Sequence, residues 1–493
     1  MIEDTVVRQR RRRVEVAVTI VVALGLAAPG CMTGARRPTR VAADRHAPGD
    51  AVDQWMRAAM AKAHVPGAAI AVVRDGAIVK VGAYGVANLE DDAPVTEHTR
   101  FHLDSTSKLF TAIAIMQLVE QGKLTLDDPV SRWLADVQPA WSGITIRHLL
   151  THSSGIVDDY AEELHGSMLV DYPPEVLYEH ARTRPLEFAP GTTTRYNNLG
   201  FYLLTLVVER ASGMPFPRYV EERIFRPLGM TESAWPDADQ IVAHLAAPYA
   251  HRDGKLVHFR SYIVSNAGSS YLGATTARDL ARVALAIDRG TLLTPASWSA
   301  MLQPFRLVDG SASQFGLAWE LGLQRGHPTA GKGGGTGALI RRYLDRGLTV
   351  VVLGNLAGGP GLSYGELADG IAGLFDPVLA RRLRPELGLD ADAFASRLRE
   401  VLSRVAAGEP DDHVNARWVS SISKDDRTQL AELLAHTVRL ESLGCDAVAP
   451  GVEILGRPIA RQCMARLSDA AGPLIELSVL LEQDGRVASI GPE

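Results

Sequence analysis

Residues 104–111 read DSTSKLFT, and the interpretation of the whole chain depends on this stretch. Ser105 and Lys108 lie three positions apart at a predicted helix start, a spacing that places both side chains on one face, with about 5–6 Å between Cβ atoms. A lysine so placed could take the proton of the serine hydroxyl. The alternative is that Ser105 is an ordinary helix N-cap and Lys108 a solvated first-turn residue. The four-residue pattern is common by chance, so these residues alone favour the cap.

The nucleophile hypothesis also requires an unusual lysine. A free lysine titrates near ~10.4, and lowering that pKa to near neutrality costs about 4 kcal/mol. Only a desolvated position supplies such a change. The positive end of a helix dipole near Ser105 would help the serine. Further motifs are therefore needed to decide between the two readings.

Two other stretches supply them. PGTTTRYNNLGFYLL places Tyr196 and Asn198 in a YxN arrangement before an apolar helix, although a lone tyrosine is more often a half-buried core residue. TAGKGGGTGALI contains Lys332-Gly333-Gly334, a KxG that we expect on a strand edge, where missing side chains let a substrate lie against the backbone. The alternative for this second motif is a flexible glycine loop.

In the order SxxK, YxN and KxG, the three motifs resemble those of the penicillin-recognising serine hydrolases, specifically the family of class C β-lactamases, D-alanyl-D-alanine carboxypeptidases and related esterases. The resemblance continues between the motifs, in PGAAIAVVRDG, ITIRHLLTHSSGI, ATTARDLARVALAI, FGLAWEL and VVVLGN. It covers residues 52–376. With this agreement the nucleophile interpretation of Ser105 replaces the cap.

The resemblance implies a role for each matching side chain. Ser105 would attack a carbonyl, and Lys108 would take its proton, alone or shared with Tyr196. Tyr196 would also protonate the leaving group and help to activate the deacylating water. Asn198 would orient Lys108 and the substrate, and Lys332 would balance the charge of the tyrosine or hold a substrate carboxylate.

The same resemblance places an oxyanion hole at the backbone N–H groups of Ser105 and Gly335, with Gly334 beside them in the substrate-binding strand. One such donor is worth about 2.7–4 kcal/mol in the transition state. Cationic and dipolar neighbours around one phenol further predict an acidified Tyr196.

Two positions depart from the family pattern. Asp104 stands before the serine, where a small or apolar residue is common, and its carboxylate would either cap the helix or favour the protonated form of Lys108 and weaken it as a base. Gly333 replaces the threonine of the β-lactamase KTG motif. This second change removes a hydroxyl expected to contact substrate and weakens the case for antibiotic hydrolysis.

The chain order predicts the fold. The folded body opens with a helix and a hairpin turning at Asp75-Gly76, continues with a core helix from Ser105 to Gly122, and returns to strands at QFGLAWEL and LTVVVLGN. We therefore expect an α/β/α sandwich with an antiparallel sheet and an all-helical lobe over 51–380, the sheet being assembled from both ends of this region. Residues 386–493 are expected to form a small α+β C-terminal module without a chemical signature.

The N-terminus has the pattern of an export signal. RQRRRR at 8–13 precedes an apolar run that ends in small residues at Cys31, so 1–31 is predicted to be a signal peptide and 32–50 a linker. The run of about 16 residues is short for a membrane span of about 20, which leaves a tethered helix as the minor alternative. Lipidation of Cys31, which would tether the protein to a membrane, stays open. The prediction is an exported protein of the periplasm or cell envelope.

Other features exclude competing functions. The 493 residues are 46% hydrophobic and 22% charged with a net charge of −6, which gives no basic face for nucleic acid. Ser363 in GLSYG matches a nucleophile elbow but does not directly follow a strand. GHPTAGKG lacks the hydroxyl that a P-loop needs after its lysine. His152 is interpreted as a structural hydrogen-bonding residue. No metal site and no cofactor are predicted.

Cysteine usage leaves one further question open. Cys445 and Cys463 lie close together near the C-terminus, and in an oxidising compartment they could pair. Two buried free thiols are the equal alternative.

The sequence therefore predicts a serine hydrolase that cleaves a small-molecule or peptide substrate, an ester, a D-amino-acid amide or a β-lactam, through an acyl-enzyme on Ser105. Esterase or peptidase activity is favoured over β-lactamase activity. The alternative is a catalytically silent relative in which Asp104 weakens Lys108 and the pocket only binds cell-wall peptide or a protein partner.

Overall fold

The computed structural model describes residues 51–493, apart from 159–173, 237–239, 253, 260–272, 358–362, 381–390 and short stretches at 410–413, 415–418, 420–421, 423, 449–452, 455–456, 470–472 and 493. The predicted signal peptide, the linker and Cys31 lie outside the described residues.

The helices and strands are numbered in chain order. The helices are α1 Ala51–Ala63, α2 Lys108–Glu120, α3 Ile146–Leu150, α4 Pro174–Thr183, α5 Asn198–Ser212, α6 Phe216–Val220, α7 Arg226–Leu228, α8 Ala277–Arg289, α9 Pro295–Met301, α10 Tyr364–Phe375, α11 Ala391–Ala407 and α12 Lys424–His436. The strands are β1 Gly67–Arg74, β2 Ala77–Asn88, β3 Ala93–Pro94, β4 Phe101–His102, β5 Tyr249–Arg252, β6 Lys255–His258, β7 Ala274–Thr275, β8 Glu320–Gln324, β9 His327–Gly333, β10 Leu339–Tyr343, β11 Leu348–Gly354, β12 Leu356–Ala357, β13 Arg439–Ala447, β14 Glu453–Ile454, β15 Arg457–Ser468, β16 Pro473–Glu482 and β17 Val487–Pro492.

A seven-stranded antiparallel sheet forms the centre, in the order β3-β2-β1-β11-β10-β9-β8. Three of its strands come from before residue 95 and four from after residue 319, which confirms the prediction of one sheet built from two ends. The β1–β2 hairpin turns at Asp75 and Gly76, whose positive φ angles of 50° and 73° are those of a tight hairpin turn.

Helices cover both faces of this sheet. Along β1 the side chains alternate: Ile70 and Val72 join the core beneath α1 and α10, while Ala71 and Val73 join the core beneath α8. A strand that is buried on both faces has a continuous run of apolar residues, and GAAIAVV in β1 is such a run. The α/β/α sandwich is therefore confirmed.

Between β4 and β8 the chain builds the helical lobe around α2. A 3₁₀ turn over Asp104–Ser107 leads directly into α2, whose apolar side chains, Leu109 and Phe110 among them, are buried on all sides. Helix α2 packs against α5 and α6. The predicted core helix is confirmed, and its first turn lies where the lobe meets the sheet.

One strand prediction needs correction, and a second is confirmed. QFGLAWEL is not a strand throughout, because Ala318 takes a left-handed φ of 68° and Gly316 N–H bonds back to Trp319 O, so β8 begins only at Glu320. The KGG motif ends β9, which pairs with β10 as far as Gly333 but with β8 only as far as Gly331. Lys332 and Gly333 therefore have no β8 partner on one side, as the predicted strand edge requires.

The C-terminal module is a separate sheet covered by α11 and α12, with its own apolar core. Cys445 and Cys463 face each other on β13 and β15 and form a disulfide. The module contacts the β8–β9 turn through Gln462, whose amide oxygen accepts from Gly326 N–H at 2.7 Å and whose amide nitrogen donates to Leu323 O at 3.2 Å.

Candidate active site

Ser105 does not serve as a helix cap. It lies inside the 3₁₀ turn, and the cap positions Leu103 and Ser107 make no side-chain cap hydrogen bond. Instead the Lys108 ammonium nitrogen is 3.1 Å from Ser105 Oγ and 2.9 Å from Asn198 Oδ1. The helical spacing thus brings amine and hydroxyl together as the sequence predicted.

Lys108 meets the requirement of an unusual lysine. Its side chain is fully buried at the start of α2. Burial, together with the nearby charge of Lys332, holds the pKa of Lys108 well below its ordinary value. A lowered pKa makes this amine easier to deprotonate than a solvated lysine, as a base that accepts the Ser105 proton needs.

Tyr196 lies between the two lysines. Lys332 Nζ is 4.6 Å and Lys108 Nζ is 5.1 Å from the centroid of its ring, and its hydroxyl shares a hydrogen bond with Ser105. The prediction of an acidified phenol is wrong, because burial and the carboxylate of Glu320 raise the pKa of Tyr196 despite the two lysines. A protonated phenol beside Ser105 can act as a proton donor.

His152 supports the tyrosine from behind. Its ring stacks on that of Tyr196, with 4.5 Å between centroids and 29° between planes, and its Nδ1 accepts from Asn197 N–H at 3.0 Å. Burial and the two lysines keep the pKa of His152 well below its ordinary range. A neutral, packed imidazole fits the structural role predicted for it.

Asn198 is held by a carboxylate that the motifs did not reveal. Asp158 Oδ2 accepts from both the backbone N–H and the side-chain amide of Asn198 at 2.9 Å, and Asp158 Oδ1 accepts from Leu199 N–H at 3.0 Å. The amide oxygen of Asn198 is thereby left facing Lys108. The only sequence signal was the position of Asp158 shortly after THSSG.

Asp104 hydrogen-bonds to the loop after β9, and its charge also raises the pKa of Lys108. Its buried carboxylate accepts from Thr336 N–H at 2.6 Å and from the Thr336 hydroxyl. Gly334 O accepts from Gly337 N–H at 3.1 Å, so the peptides on both sides of Gly335 are fixed. A Cβ on Gly334 would lie 2.3 Å from Leu103 O, so the loop can approach the 3₁₀ turn only with glycine there.

Lys332 pairs with a second unpredicted carboxylate. Its ammonium is fully buried and lies 2.8 Å from Glu320 Oε1, whose side chain is 51% exposed. Glu320 belongs to the quoted FGLAWEL stretch, but that stretch was interpreted only as a strand. The site therefore contains, at its β8–β9 side, an ion pair with a buried ammonium and a half-exposed carboxylate.

The competing motifs have other roles. Ser363 caps α10 in a reciprocal capping box with Glu366. Most of the P-loop-like stretch forms strand β9 and not a loop before a helix. Among the described residues no group of three or more His, Cys, Asp or Glu side chains is arranged to hold a metal ion. Nor does any helix in the described part of the chain have the length and apolarity to cross a membrane.

Comparisons with known proteins agree with this geometry. A family model described as Beta-lactamase matches residues 52–371. Penicillin-binding protein 4* of Bacillus subtilis is 28% identical over 57% of this chain and 66% of its own length, and esterase EstB of Burkholderia gladioli is 32% identical over 46% and 61%. The chain thus spans just under two thirds of each of these relatives.

Solved structures give the same result. A penicillin-binding protein from Bacillus halodurans superposes with a TM-score of 0.57 and 30% identity, covering 66% of this chain and all of that one. An octameric penicillin-binding protein homologue from Pyrococcus abyssi covers 88% of this chain and 94% of its own, with a TM-score of 0.57 at 24% identity, which shows a shared fold. By the family match over most of its folded length, this chain belongs to the β-lactamase family.

Proposed function

We propose that this protein is a serine hydrolase that cleaves an ester or amide through an acyl-enzyme on Ser105. The observation that supports this most directly is the buried Lys108 amine, 3.1 Å from Ser105 Oγ, with a pKa lowered by burial. A base with its pKa near the working pH is what general-base activation of a hydroxyl needs.

Acylation begins when Lys108 Nζ accepts the Ser105 proton and Ser105 Oγ attacks the carbonyl carbon. The charge that develops on the carbonyl oxygen is stabilised by the N–H groups of Ser105 and Gly335, and one such donor contributes about 2.7–4 kcal/mol. The hydrogen bonds from Gly337 N–H to Gly334 O and from Thr336 N–H to Asp104 keep the second donor in place.

The leaving group takes a proton from Tyr196, which stands beside Ser105 and is protonated in the free protein. The proton now held by Lys108 restores the phenol. In deacylation the same groups act in reverse: water loses a proton to the lysine and tyrosine pair, attacks the acyl carbon, and Ser105 leaves with its proton returned. Asn198, held by Asp158, keeps Lys108 directed at the nucleophile.

The relatives favour an enzyme over a silent binding protein. Solved structures of this fold include a protein described as a D-stereospecific amidohydrolase from Streptomyces and one described as a D-alanine carboxypeptidase from Burkholderia cenocepacia, and EstB is named as an esterase. The silent alternative rested on Asp104 weakening Lys108. The Asp104 charge does raise the pKa of Lys108, but burial and the charge of Lys332 have the larger effect and keep that pKa well below its ordinary value.

Covalent labelling tests the proposal. The protein is incubated with a fluorescent fluorophosphonate and, separately, with a fluorescent penicillin, and the adduct is located by peptide mass spectrometry. We expect a fluorophosphonate adduct on Ser105, lost in Ser105→Ala and retained in the matched control Ser363→Ala. A folded protein that neither probe labels would support the binding alternative, and an adduct on Ser363 would overturn the assignment.

Turnover follows the same variants. p-Nitrophenyl esters, D-Ala-D-Ala peptides and a chromogenic cephalosporin are each assayed with the unmodified protein and with Ser105→Ala. We expect ester hydrolysis that disappears in Ser105→Ala. Turnover that persists in this variant would refute the acyl-enzyme on Ser105.

A further inference from the structure

Glu320 changes what the site can bind. In the motif-based interpretation Lys332 was free either to balance the charge of the tyrosine or to hold a substrate carboxylate. In the structure its ammonium is buried and already has a carboxylate partner, Glu320 Oε1, at 2.8 Å. A substrate carboxylate would have to share or replace that partner.

We propose that the Glu320–Lys332 pair restricts this site to ester or amide substrates that carry no carboxylate beside the scissile bond, the leaving group being neutral or cationic. This inference rests on the proposed function, because it concerns the substrate of the same acyl transfer. It predicts that penicillins and peptides with a free C-terminal carboxylate, both of which present such an anion, are poor substrates.

The charge balance of the cleft supports the proposal. The charged groups acting most strongly on Lys108 and Tyr196 are Lys332 and the carboxyl groups of Glu320, Asp158 and Asp104. This group contains two amines and three carboxyl groups, and the Lys332 ammonium is paired with Glu320 at 2.8 Å. An anion entering the cleft therefore meets no uncompensated positive charge within this group.

Position 333 adds to the same selectivity. Gly333 follows Lys332 at the end of β9 and has no hydroxyl with which to contact a carboxylate. A buried anion needs both charge pairing and hydrogen bonds to offset its desolvation. Here the Lys332 ammonium is already paired with Glu320, and Gly333 offers no hydrogen-bonding side chain. A neutral leaving group does not incur this cost, and a cationic one meets no uncompensated like charge in the pair.

A set of three thioesters tests the charge preference with one readout. N-acylglycyl thioesters of thioglycolate, of methyl thioglycolate and of thiocholine have the same scissile bond and acyl group but anionic, neutral and cationic leaving groups. The released thiol is measured with one thiol reagent. We expect kcat/KM for the anionic substrate to be at least ten-fold below that for the neutral one, with the cationic substrate equal to or above the neutral one.

The variant Glu320→Gln identifies the residue responsible. It should raise the anionic-to-neutral ratio of kcat/KM by about ten-fold, mainly through KM, since it frees the Lys332 ammonium for the substrate. Because both substrates meet the same enzyme at the same pH, any change in Lys108 cancels in the ratio. Glu97→Gln is the matched control: Glu97 is also 51% exposed and paired with a cation at 2.8 Å, but that cation is Arg278. The ratio should not change in this control.

Two results would overturn the proposal: a wild-type preference for the anionic thioester, or an unchanged ratio in Glu320→Gln. Failure of the proposed function looks different. In that case none of the three thioesters is turned over and Ser105 takes up no fluorophosphonate. If Ser105 is labelled but the charge preference is the wrong one, only the inference about Glu320 is refuted, and the proposed function stands.

Discussion

The pH dependence of hydrolysis should shift in opposite directions when the two members of the Glu320–Lys332 pair are neutralised separately. Lys108 is active as a free amine, so kcat/KM rises with pH as Lys108 loses its proton. The charge of Lys332 lowers the pKa of Lys108 and that of Glu320 raises it. Lys332→Met should therefore move the rising limb to higher pH, and Glu320→Gln should move it to lower pH.

The size of the larger shift follows from the structure. Lys332 Nζ and Lys108 Nζ lie 4.6 Å and 5.1 Å from the same ring centroid, so they are at most about 10 Å apart. At that separation and an effective dielectric constant of about 20, two unit charges interact by about 1.7 kcal/mol, or about 1.2 pH units. The half-exposed Glu320 is screened by solvent, so its opposite shift should be smaller.

The assay is kcat/KM for a neutral ester from about pH 5 to about pH 10, fitted for the rising limb. Lys123→Met is the control, because it removes a positive charge from the exposed turn after α2. That variant should leave the limb in place. If Lys332→Met leaves the limb unmoved or shifts it to lower pH, Lys108 is not the titrating base and the mechanism is wrong.

Three further changes test the supporting contacts. Asp104→Ala should lower kcat by up to about 10²-fold, because the oxyanion loop loses its hydrogen bonds from Thr336 to Asp104, whereas Asp104→Asn keeps an acceptor and should retain most activity. Affinity for a boronic acid inhibitor should fall in parallel with kcat. An equal loss in both variants would argue against this role of Asp104. Asp158→Ala should lower kcat/KM about ten-fold, because it releases Asn198, which contacts Lys108; wild-type kinetics in this variant would show that Asp158 is not needed to position Asn198. Asp369→Ala should reduce the free energy of unfolding, measured in urea, by about 3–5 kcal/mol, because it leaves the Arg341 guanidinium on β10 without the carboxylate that it contacts at 2.7 Å. A loss below about 1 kcal/mol would show that this pair is dispensable.

What the sequence predicted well depends on local spacing. Ser105 and Lys108 meet because three residues make one helical turn, and β1 was recognised from its apolar run. The family resemblance joined Tyr196 and Lys332 to this pair across the chain. Ser105, Lys108, Tyr196 and Lys332 could thus be predicted from short sequence motifs.

The unpredicted parts are side-chain pairs between distant positions. Glu320 is 12 residues from Lys332, and Asp158 is 40 residues from Asn198. Carboxylates are common on half-exposed strands and loops, so nothing in the sequence indicates which one turns towards the cleft. The prediction of a lowered Tyr196 pKa failed because it counted the nearby cations but omitted the free-energy cost of burying the phenolate.

Strand β1 has a consequence for how the chain folds during synthesis. Its inner neighbour is β11, and Gly67 N–H bonds to the side chain of Asn355, 288 residues later. At about 5–20 residues per second, a ribosome needs roughly 15–60 s to reach that partner. Until then the β1–β2 hairpin has an open, apolar edge of the kind that aggregates. A nascent chain of this design benefits from chaperones that shield its first hairpin until the second half of the sheet emerges.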